Sequence, residues 1–595
     1  MSHLQGGKVN IYLIQENARK KLLSLLEKCD GTKAIVWDEE LAGPVGLIAR
    51  YKLLREHGVV TMFPLQRGTL PQADVNHVIF ISRPKQHLMK YIAEKVHGDR
   101  KTTSLRTTKQ FHLFFVPYKS SMCENILKHS GMYGSLTLKE DFRCLLFPYD
   151  NDLIILGLPH AFREYYLEGD PTCLYQIAQA IVELQKLYGP ISKVWGKGTT
   201  AKQVWELVQR LNRETGEVRN VDRPCIDQIL LLDRSVDLVT PLATQLTYEG
   251  LIDELYGISN GTCQFPPHMF PTNDDNLSNV SAEDKKQVFL NSNDKLFGEL
   301  RDKNFRAVGP VLSKQARLIS SQLDDRHTEK TVQEIKQFVA KLPGMLEDKQ
   351  ALALHTTIAE HIKDKTGTDN FLDNLQTEQE FLNCIEVDKA NGHIEDLIAQ
   401  KAPLHKVLRL ICLQCLAGSG LKQKLLEYYI RELVQVYGLE TYLSILNLEK
   451  IGLLRVQSGA RQYTVLRKAL RLTMEDTSET SPTDISYVHS GYAPCSVRLA
   501  EQLMRSGGWK HLQDVLGLLP GPTLDETPPT FGNVTTTAPD SPSVILVFFI
   551  GGCTFAEISA LRFLSQQEDS NVEFVIATTN IINGKTFLNS LMKPV

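Results

Sequence analysis

The chain has 595 residues, of which 42% are hydrophobic and 23% are charged; this composition is ordinary for a folded protein of several domains and excludes both a single small fold and wholesale disorder. Its 66 Lys and Arg residues nearly balance its 69 Asp and Glu residues, which leaves a net charge of −3. This balance excludes a chain held to nucleic acid or to membranes by bulk charge, so we expect no nucleic-acid partner.

The first eight residues contain no apolar segment of the kind that directs export. The longest uncharged apolar segment, residues 544–556, is shorter than the roughly 20 residues of a membrane-spanning helix and contains Gly551 and Gly552. Eleven scattered cysteines are typical of reduced thiols. We therefore expect a cytoplasmic protein that reaches membranes only indirectly, through its partners.

The first 150 residues alternate short apolar runs with amphipathic segments. Continuous hydrophobic runs of strand length, which are typical of strands covered on both faces, occur at 34–37, 78–81, 113–116 and 144–147. Helix-like segments at 44–56 and 85–95 lie between them. This β-α order predicts a mostly parallel sheet.

A second set of strand-like runs is split by a long stretch of chain. The first run is 228–232, and the others follow only at 544–550 and 574–577. Helices are predicted at 176–187, 201–211 and 555–564. We predict one α/β domain interrupted by a large insertion, because two unrelated domains would each have too few strands for a stable open sheet.

The insertion, residues 257–484, has the periodicity of helices. Two apolar stripes predict a pair of antiparallel helices joined near residues 327–328; their members are Leu312, Ala316, Ile319 and Leu323, and Val332, Ile335, Val339 and Leu342. Segments 260–282 and 520–542 are rich in Pro, Asn, Ser or Thr, so we expect both to be exposed.

Several short motifs resemble catalytic or metal-binding patterns but lack the required context. Residues 196–199 (Gly-Lys-Gly-Thr) lack the glycine spacing and the Ser or Thr of a phosphate loop. The pair Cys412 and Cys415 lies in an apolar helix and has no second ligand pair, so we expect it in the core. Residues 257–261 spell G-x-S-x-G, but no apolar strand precedes them. Nucleophilic and metal-assisted catalysis therefore have no positive support.

A denser group of charged residues follows the strand 228–232. Asp233 and Asp237 come at its carboxyl end, where open α/β sheets bind ligands, and could hold a metal. Alternatively, Asp233, Arg234 and Asp237 hold the turn, and Pro241 sets the entry to the next helix. The residues alone leave both interpretations open.

The segment from Leu232 to Glu254 resembles the pattern LDRxxDxxTPLxxxxTYExLxxE of the Sec/Munc-type (SM) family, whose members bind SNARE proteins during intracellular membrane fusion. Segments 484–494 and 549–558 resemble further motifs of the family. Segments 35–39 and 335–339 are similar to its class C vacuolar protein sorting branch. The resemblance extends over essentially the whole chain.

The resemblance implies an arch of three domains: α/β domain 1 at 1–148, a discontinuous α/β domain 2 at 149–256 and 485–595, and a helical domain 3 with lobes at 257–370 (3a) and 371–484 (3b). It also implies that the protein is not an enzyme and holds no metal or cofactor. The matching residues are then structural, namely Asp233, Arg234, Asp237, Pro241, Tyr248 and Glu249.

The family further implies that domain 1 and a helical hairpin of domain 3, at about 308–342, line a cleft for SNARE proteins and SNARE bundles. Its exposed face would offer Lys314, Arg317, Ser321 and Asp324 at helical spacing. The alternative is a merely solvated face. Arg301, Lys303, Arg306, Lys314 and Arg317 would give this region a positive field suited to acidic SNARE surfaces.

Membership of the class C branch implies a place in the HOPS and CORVET tethering complexes, which act in endosome, lysosome and autophagosome fusion, on a solenoid-type class C subunit. The helix 439–448 presents Leu439, Tyr442, Leu443 and Leu446 at spacings of three and four. These residues are either core or an apolar docking edge. We expect the protein to act as a template for SNARE assembly, or to protect it, on late endosomes, lysosomes and early endosomes. The competing hypothesis is a nucleotide- or metal-binding α/β enzyme.

Overall fold

The computed structural model describes residues 9–102, 109–215, 224–270, 286–324, 332–385, 390–459, 462–505, 507–528, 542–568 and 570–592. Within these residues the strands form sheets of five, three and seven strands. No helix among the described residues is long and apolar enough to cross a membrane.

The amino-terminal part is a parallel α/β sheet. Its elements are α1 (Tyr12–Leu26), β1 (Lys33–Trp37), α2 (Glu39–Ile48), α3 (Tyr51–Glu56), β2 (Val59–Pro64), β3 (His77–Ser82), α4 (Gln86–Thr102), β4 (Gln110–Phe115), α5 (Ser121–His129) and β5 (Leu136–Asp141). The strand order is β2-β1-β3-β4-β5, and every pairing is parallel. The runs at 34–37, 78–81 and 113–116 lie in the three central strands, as predicted.

The two edge strands and the last predicted strand differ from the sequence prediction. Strand β2 alternates buried and exposed residues, and β5 is polar and mostly half-buried. An edge strand is covered less completely than a central one, so neither has a continuous apolar run. The prediction of a strand at 144–147 in this sheet was wrong, because only Phe147 is in a strand and that strand belongs to the second sheet.

The second sheet is assembled from chain segments on both sides of the insertion. Its first elements are β6 (Phe147–Pro148), β7 (Leu153–Ile155), α6 (Ala161–Arg163), α7 (Thr172–Tyr188), β8 (Lys193–Lys197), α8 (Thr199–Thr215), β9 (Gln228–Asp233) and α9 (Tyr248–Leu255).

The insertion begins with a small antiparallel sheet and continues as helices. Its elements are β10 (Ile258–Ser259), β11 (Thr262–Phe265), β12 (Lys286–Phe289), α10 (Lys295–Leu300), α11 (Phe305–Asp324), α12 (Val332–Thr366), α13 (Asp369–Leu382), α14 (Asn391–Ala399), α15 (Leu404–Gly418), α16 (Gln423–Tyr437), α17 (Glu440–Lys450) and α18 (Gln462–Ala469).

The chain then returns through α19 (Cys495–Leu503), α20 (Gln513–Leu518), β13 (Thr523–Glu526), β14 (Ser543–Ile550), α21 (Phe555–Ser565), β15 (Val572–Thr578) and α22 (Gly584–Met592). The strand order is β13-β8-β9-β14-β15-β7-β6. Strands β9 and β14 pair in parallel, with Leu232 opposite Phe549. The prediction of one interrupted sheet is therefore confirmed, and the alternative of two unrelated domains is wrong. The residue boundaries proposed for the domains stay a prediction.

The long helices α11 and α12 are anchored at one end. Val308 and Leu312 of α11 and Ile358 and Ile362 of α12 are buried in one core with residues of α9 and α10. Farther along, Ala316 is exposed and Ile319 is half-buried, so the predicted buried stripe of α11 ends at Leu312. The side chains of Leu323, Val332, Ile335 and Val339 and the link at 327–328 lie outside the described residues.

Candidate binding surfaces

The acidic residue at the end of β9 joins three elements. Asp233 is almost fully buried, and its carboxylate accepts hydrogen bonds from the Tyr166 hydroxyl (2.7 Å), the Thr200 backbone N–H at the start of α8 (3.0 Å) and the Ser235 N–H (2.9 Å). Three donors thus satisfy this carboxylate. Its contacts connect β9 to α8 and to the aromatic segment after α6.

Arg234 lies at the centre of a buried network. Its Nη1 donates to both carboxylate oxygens of Glu557 at 2.9 Å, and its Nε and Nη2 donate to the Asp237 carbonyl. Burial disfavours the charged guanidinium, but the carboxylates of Glu557 and Asp237 outweigh that effect and raise the pKa of Arg234. The pair joins the end of β9 to the start of α21.

Asp237 extends this network to a further helix. Its carboxylate accepts from the Thr240 N–H (3.0 Å), from the Thr240 hydroxyl (2.6 Å) and from the Ser496 N–H at the start of α19 (3.1 Å). Pro241 is buried in the short 3₁₀ turn Thr240–Leu242. These partners are protein groups, so the arrangement is that of a structural junction. Because protein donors already occupy the carboxylates of Asp233 and Asp237, the geometry does not support the interpretation of these two residues as metal ligands.

Tyr248 and its partners position the base of α12. The Tyr248 hydroxyl lies 3.0 Å from Nδ1 of His355 in α12, and Nε2 of His355 lies 3.0 Å from the Asp294 carboxylate. Asp294 in turn caps α10 by accepting from the N–H groups of Leu296 and Phe297. Burial raises the pKa of Asp294, but the interaction with His355 and the hydrogen bonds from the two backbone N–H groups together outweigh it, and the net pKa is lowered. The chain of contacts ties α9, α10 and α12 together.

A buried ionic cluster fixes the base of α11 to the second sheet. Arg562 of α21 donates to Asp152 at 2.7 and 2.9 Å and to Asp302 at 3.2 Å. Glu249 is also buried in this cluster, and burial raises its pKa to about 8 although Arg301 and Arg562 lower it. Sequence analysis missed Arg562 and Asp152. The one available signal was a lone arginine in the apolar helix α21.

The predicted positive field is smaller than the sequence indicated. Arg301 is buried and forms an ion pair with Asp150, because folding brings this carboxylate, which lies 151 residues earlier in the chain, beside it. Arg306 is exposed but pairs with Glu479 at 2.6 Å. The prediction that all five basic residues contribute to one surface was therefore wrong for Arg301.

Of the other three basic residues, Lys303 is half-buried just before α11, and Lys314 and Arg317 lie on the outer part of α11. Lys314, Arg317 and Ser321 are exposed, and neither Lys314 nor Arg317 forms an ion pair with another described residue. The side chain of Asp324 lies outside the described residues. We call Lys314, Arg317 and Ser321 the α11 face. It is a helix surface with two exposed positive charges one turn apart.

The helix α17 presents apolar side chains to solvent. Leu439, Tyr442, Leu443 and Leu446 are 77%, 42%, 52% and 40% exposed, respectively. The opposite side of α17, including Ile445 and Leu448, is buried. The interpretation of Leu439 and Tyr442 as core residues was thus wrong, because polar Thr441 and Ser444 face inward instead. We call the four exposed residues the α17 patch.

The α17 patch stands on a firmly attached helix. The Ser444 hydroxyl donates to the Met592 carbonyl at 2.9 Å, and the Asn447 side chain donates to the Leu591 carbonyl at 3.0 Å. Both acceptors belong to α22. The patch is therefore a preformed surface on a packed helix, and an exposed apolar group of this kind typically marks an interaction site.

The short motifs that resemble catalytic or metal-binding patterns lie in the core or in short strands of the fold. Cys412 and Cys415 are buried in α15, and burial raises the pKa of both thiols. Lys197 is buried and donates to the Gly521 carbonyl at 2.6 Å. Ser259 lies in the short antiparallel strand β10, so residues 257–261 do not form a strand-to-helix elbow.

A cleft of about 580 Å³ lies at the carboxyl ends of β7, β14 and β15, and Ile155, Gly551 and Asn580 are among its lining residues. Asp253, also in the lining, has its pKa raised to about 7 by burial. Its carboxylate accepts from the Ile258 N–H and the Asn583 amide, each at 2.9 Å. Among the described lining residues, we find no Ser or Cys hydrogen-bonded to a histidine as an activated nucleophile would be.

Comparison with known proteins identifies relatives over the full chain. The model of the Sec1 family matches residues 33–590. The chain is 51% identical to vacuolar protein sorting-associated protein 33A of Rattus norvegicus, covering 100% of this chain and 99% of the relative. It is 43% identical to the protein of the same name in Drosophila melanogaster, covering 99% of both.

Solved structures share the fold at low sequence identity. A structure of the SM protein Vps45 in complex with the Qa SNARE Tlg2 aligns with a TM-score of 0.60 at 17% identity, covering 98% of both chains. The Unc18–syntaxin 1 complex of Monosiga brevicollis aligns with a TM-score of 0.58 at 19% identity, covering 97% of this chain and 99% of that chain. The predicted fold class, two parallel-sheet α/β domains with a large helical insertion, is confirmed.

Proposed function

Because the chain belongs to the Sec1 family, we propose that it binds SNARE proteins and acts in vacuolar or endosomal protein sorting without catalysing covalent chemistry. Its relatives at 51% and 43% identity are vacuolar sorting proteins, and proteins of the same fold have been solved with SNAREs bound. The observation that carries the proposal is the α11 face, on which Lys314 and Arg317 form no ion pair with any residue that the structure describes.

The α11 face can act as a template. SNARE assembly needs helices to meet in register, and a rigid surface can hold one helix in place while others join it. The buried Tyr248–His355–Asp294 contacts and the Arg562 cluster hold the base of α11 and α12, which keeps the face preorganised. Its two exposed positive charges suit acidic helix surfaces and would speed the encounter with them.

The test is reversal of both charges, Lys314→Glu with Arg317→Glu, in the full chain. An exposed ion pair contributes about 0.2–1 kcal/mol, and reversal replaces attraction by repulsion of similar size. We expect binding to an assembled SNARE bundle to weaken by about 1–3 kcal/mol, or about 5- to 150-fold, measured by calorimetry or interferometry.

The matched control is Arg210→Glu with Arg213→Glu, which reverses two exposed charges at the same spacing on α8. This variant should bind the bundle like the wild type. Equal weakening by both variants would mean that only net charge matters, and unchanged binding of the α11 variant would remove this face from the SNARE site. Testing single SNAREs beside the bundle shows which of them the protein prefers.

We further propose that the α17 patch docks the chain on a helical-solenoid subunit of a HOPS- or CORVET-type tethering complex. The patch is apolar, preformed and exposed, and tethering through a partner would bring the protein to late endosomal, lysosomal or early endosomal membranes. The α17 patch and the α11 face belong to different helices of the insertion, so a tether and a SNARE could each have a surface of their own.

A further inference from the structure

Three potential metal ligands converge in the interior of the amino-terminal domain. Cys29, His77 and His112 are all buried, and one ligand atom from each lies within 4.8 Å of the other two. Among the described residues this is the one group of three or more His, Cys, Asp or Glu residues that meets this geometry. We propose that these three side chains bind one thiophilic d¹⁰ metal ion, Zn²⁺ or Cu⁺, between α1 and the first sheet.

The fold brings the ligands together from distant positions in the chain. Cys29 follows α1, whose residues Leu22 and Leu25 pack in the same core as the inner strands. His77 is the first residue of β3, and His112 lies in β4 opposite Ile79. Since alternate residues of a strand share a face, His77 and His112 point to the same side of the sheet, the side that α1 covers. Because the three ligands are far apart in the sequence, no short motif predicts such a site.

The hydrogen bonds of His77 show which of its two ring nitrogens carries the lone pair that an ion would need. Its Nε2 lies 2.6 Å from the Asp30 carbonyl, and because a carbonyl only accepts, Nε2 carries the hydrogen. In the neutral ring, Nδ1 then has a lone pair, and it faces Nε2 of His112 at 3.0 Å. Metal-binding histidines commonly donate their second N–H to a backbone carbonyl in this way.

The separations and the chemistry fit a thiolate–imidazole site. Zn–S bonds of about 2.3 Å and Zn–N bonds of about 2.0–2.1 Å place neighbouring ligand atoms about 3.3–3.7 Å apart around a tetrahedral ion, so modest side-chain adjustment closes the site. Thiolate and imidazole together select Zn²⁺ and Cu⁺ over hard cations.

The present contacts leave the cluster incompletely satisfied. Nδ1 of His112 has no hydrogen-bond partner among the described residues, although buried polar atoms in folded proteins usually have one. A bound ion would link the carboxyl-terminal end of α1 to the amino-terminal ends of β3 and β4, adding coordinate bonds where the side chains now make one hydrogen bond to each other. Binding to the folded chain alone would stabilise it by mass action.

The test uses the full chain, reduced and stripped of metal with a chelator. One arm adds Zn²⁺, and the other adds Cu⁺ with bicinchoninate as competitor. In both arms the metal retained after gel filtration is measured by mass spectrometry, and the melting temperature of the chain is measured as well. We expect one equivalent retained and a higher melting temperature in at least one arm, and the tighter arm identifies the ion. Retention of no metal in either arm would overturn the proposal.

Variants assign the ligands. Cys29→Ser and His112→Asn should lose the retained equivalent, whereas Cys123→Ser, which alters an equally buried cysteine of α5 in the same domain, should keep it. If Cys29→Ser retains as much metal as the wild type, the proposal is wrong. X-ray absorption on the loaded wild-type chain needs no variant to fold: a shell with one sulfur and two imidazole nitrogens supports the site, and a shell without sulfur contradicts it.

Discussion

The buried pair of Arg234 and Glu557 offers a stringent test of the structural role assigned to the 232–254 segment. The substitution Arg234→Leu removes the guanidinium that donates to both Glu557 oxygens and to the Asp237 carbonyl. Glu557 is fully buried, so its carboxylate then stays in the interior without a counter-charge. Breaking a buried pair in this way costs about 3–5 kcal/mol.

The expected drop in melting temperature depends on how many residues unfold together. If the second α/β unit melts as a body of about 200 residues, 1 kcal/mol corresponds to about 2–4 °C, so the melting temperature should fall by about 6–20 °C. Differential scanning calorimetry measures it. The double variant Arg234→Leu with Glu557→Leu should recover much of the loss, because replacing both partners by apolar groups is often close to neutral.

The exposed pair of Arg210 and Glu214 provides the control. Arg210→Leu breaks an ion pair of 2.8 Å in which both side chains are more than half exposed, and the melting temperature should change little. A melting temperature of Arg234→Leu within about 2 °C of the wild type would refute the view that this network supports the fold.

Two further outcomes are expected. Burial raises the pKa of Glu249 from its ordinary 4.5 to about 8. Between these two pH values the folded chain holds a proton that the unfolded chain releases, so the stability of the fold falls as the pH rises from about 4.5 through about 8. Glu249→Gln should therefore raise the melting temperature relative to the wild type more at pH 8.5 than at pH 6, and an equal difference at both pH values would contradict the assignment. At the α17 patch, Leu439→Asp with Tyr442→Asp should abolish capture of a solenoid tether subunit in a pull-down while the melting temperature stays near that of the wild type. The control Leu372→Asp changes an equally exposed apolar residue of α13 and should leave capture intact; loss of folding in the α17 variant, or capture unchanged, would count against the patch.

The sequence alone was sufficient for the elements that are buried on both sides or amphipathic over several turns. The central strands β1, β3, β4, β9, β14 and β15 are continuous apolar runs because helices cover both faces of their sheets, and the helices α7, α8 and α21 lie where the periodicity predicts them. The 232–254 pattern was recognisable because its spacing is local, with every residue between one strand and the following helix.

Only the tertiary structure decided which surfaces of these elements meet. Periodicity places Leu439, Tyr442, Leu443 and Leu446 on one side of a helix but cannot say whether another element covers that side, and here α22 packs on the opposite one. Arg301 is buried because Asp150 lies beside it, and Cys29, His77 and His112 meet because two strands and a helix end come together. Burial, pairing and ligand geometry depend on residues far apart in the chain, whereas periodicity and motifs depend on neighbours; sequence therefore determined the elements and the family, and folding decided the sites.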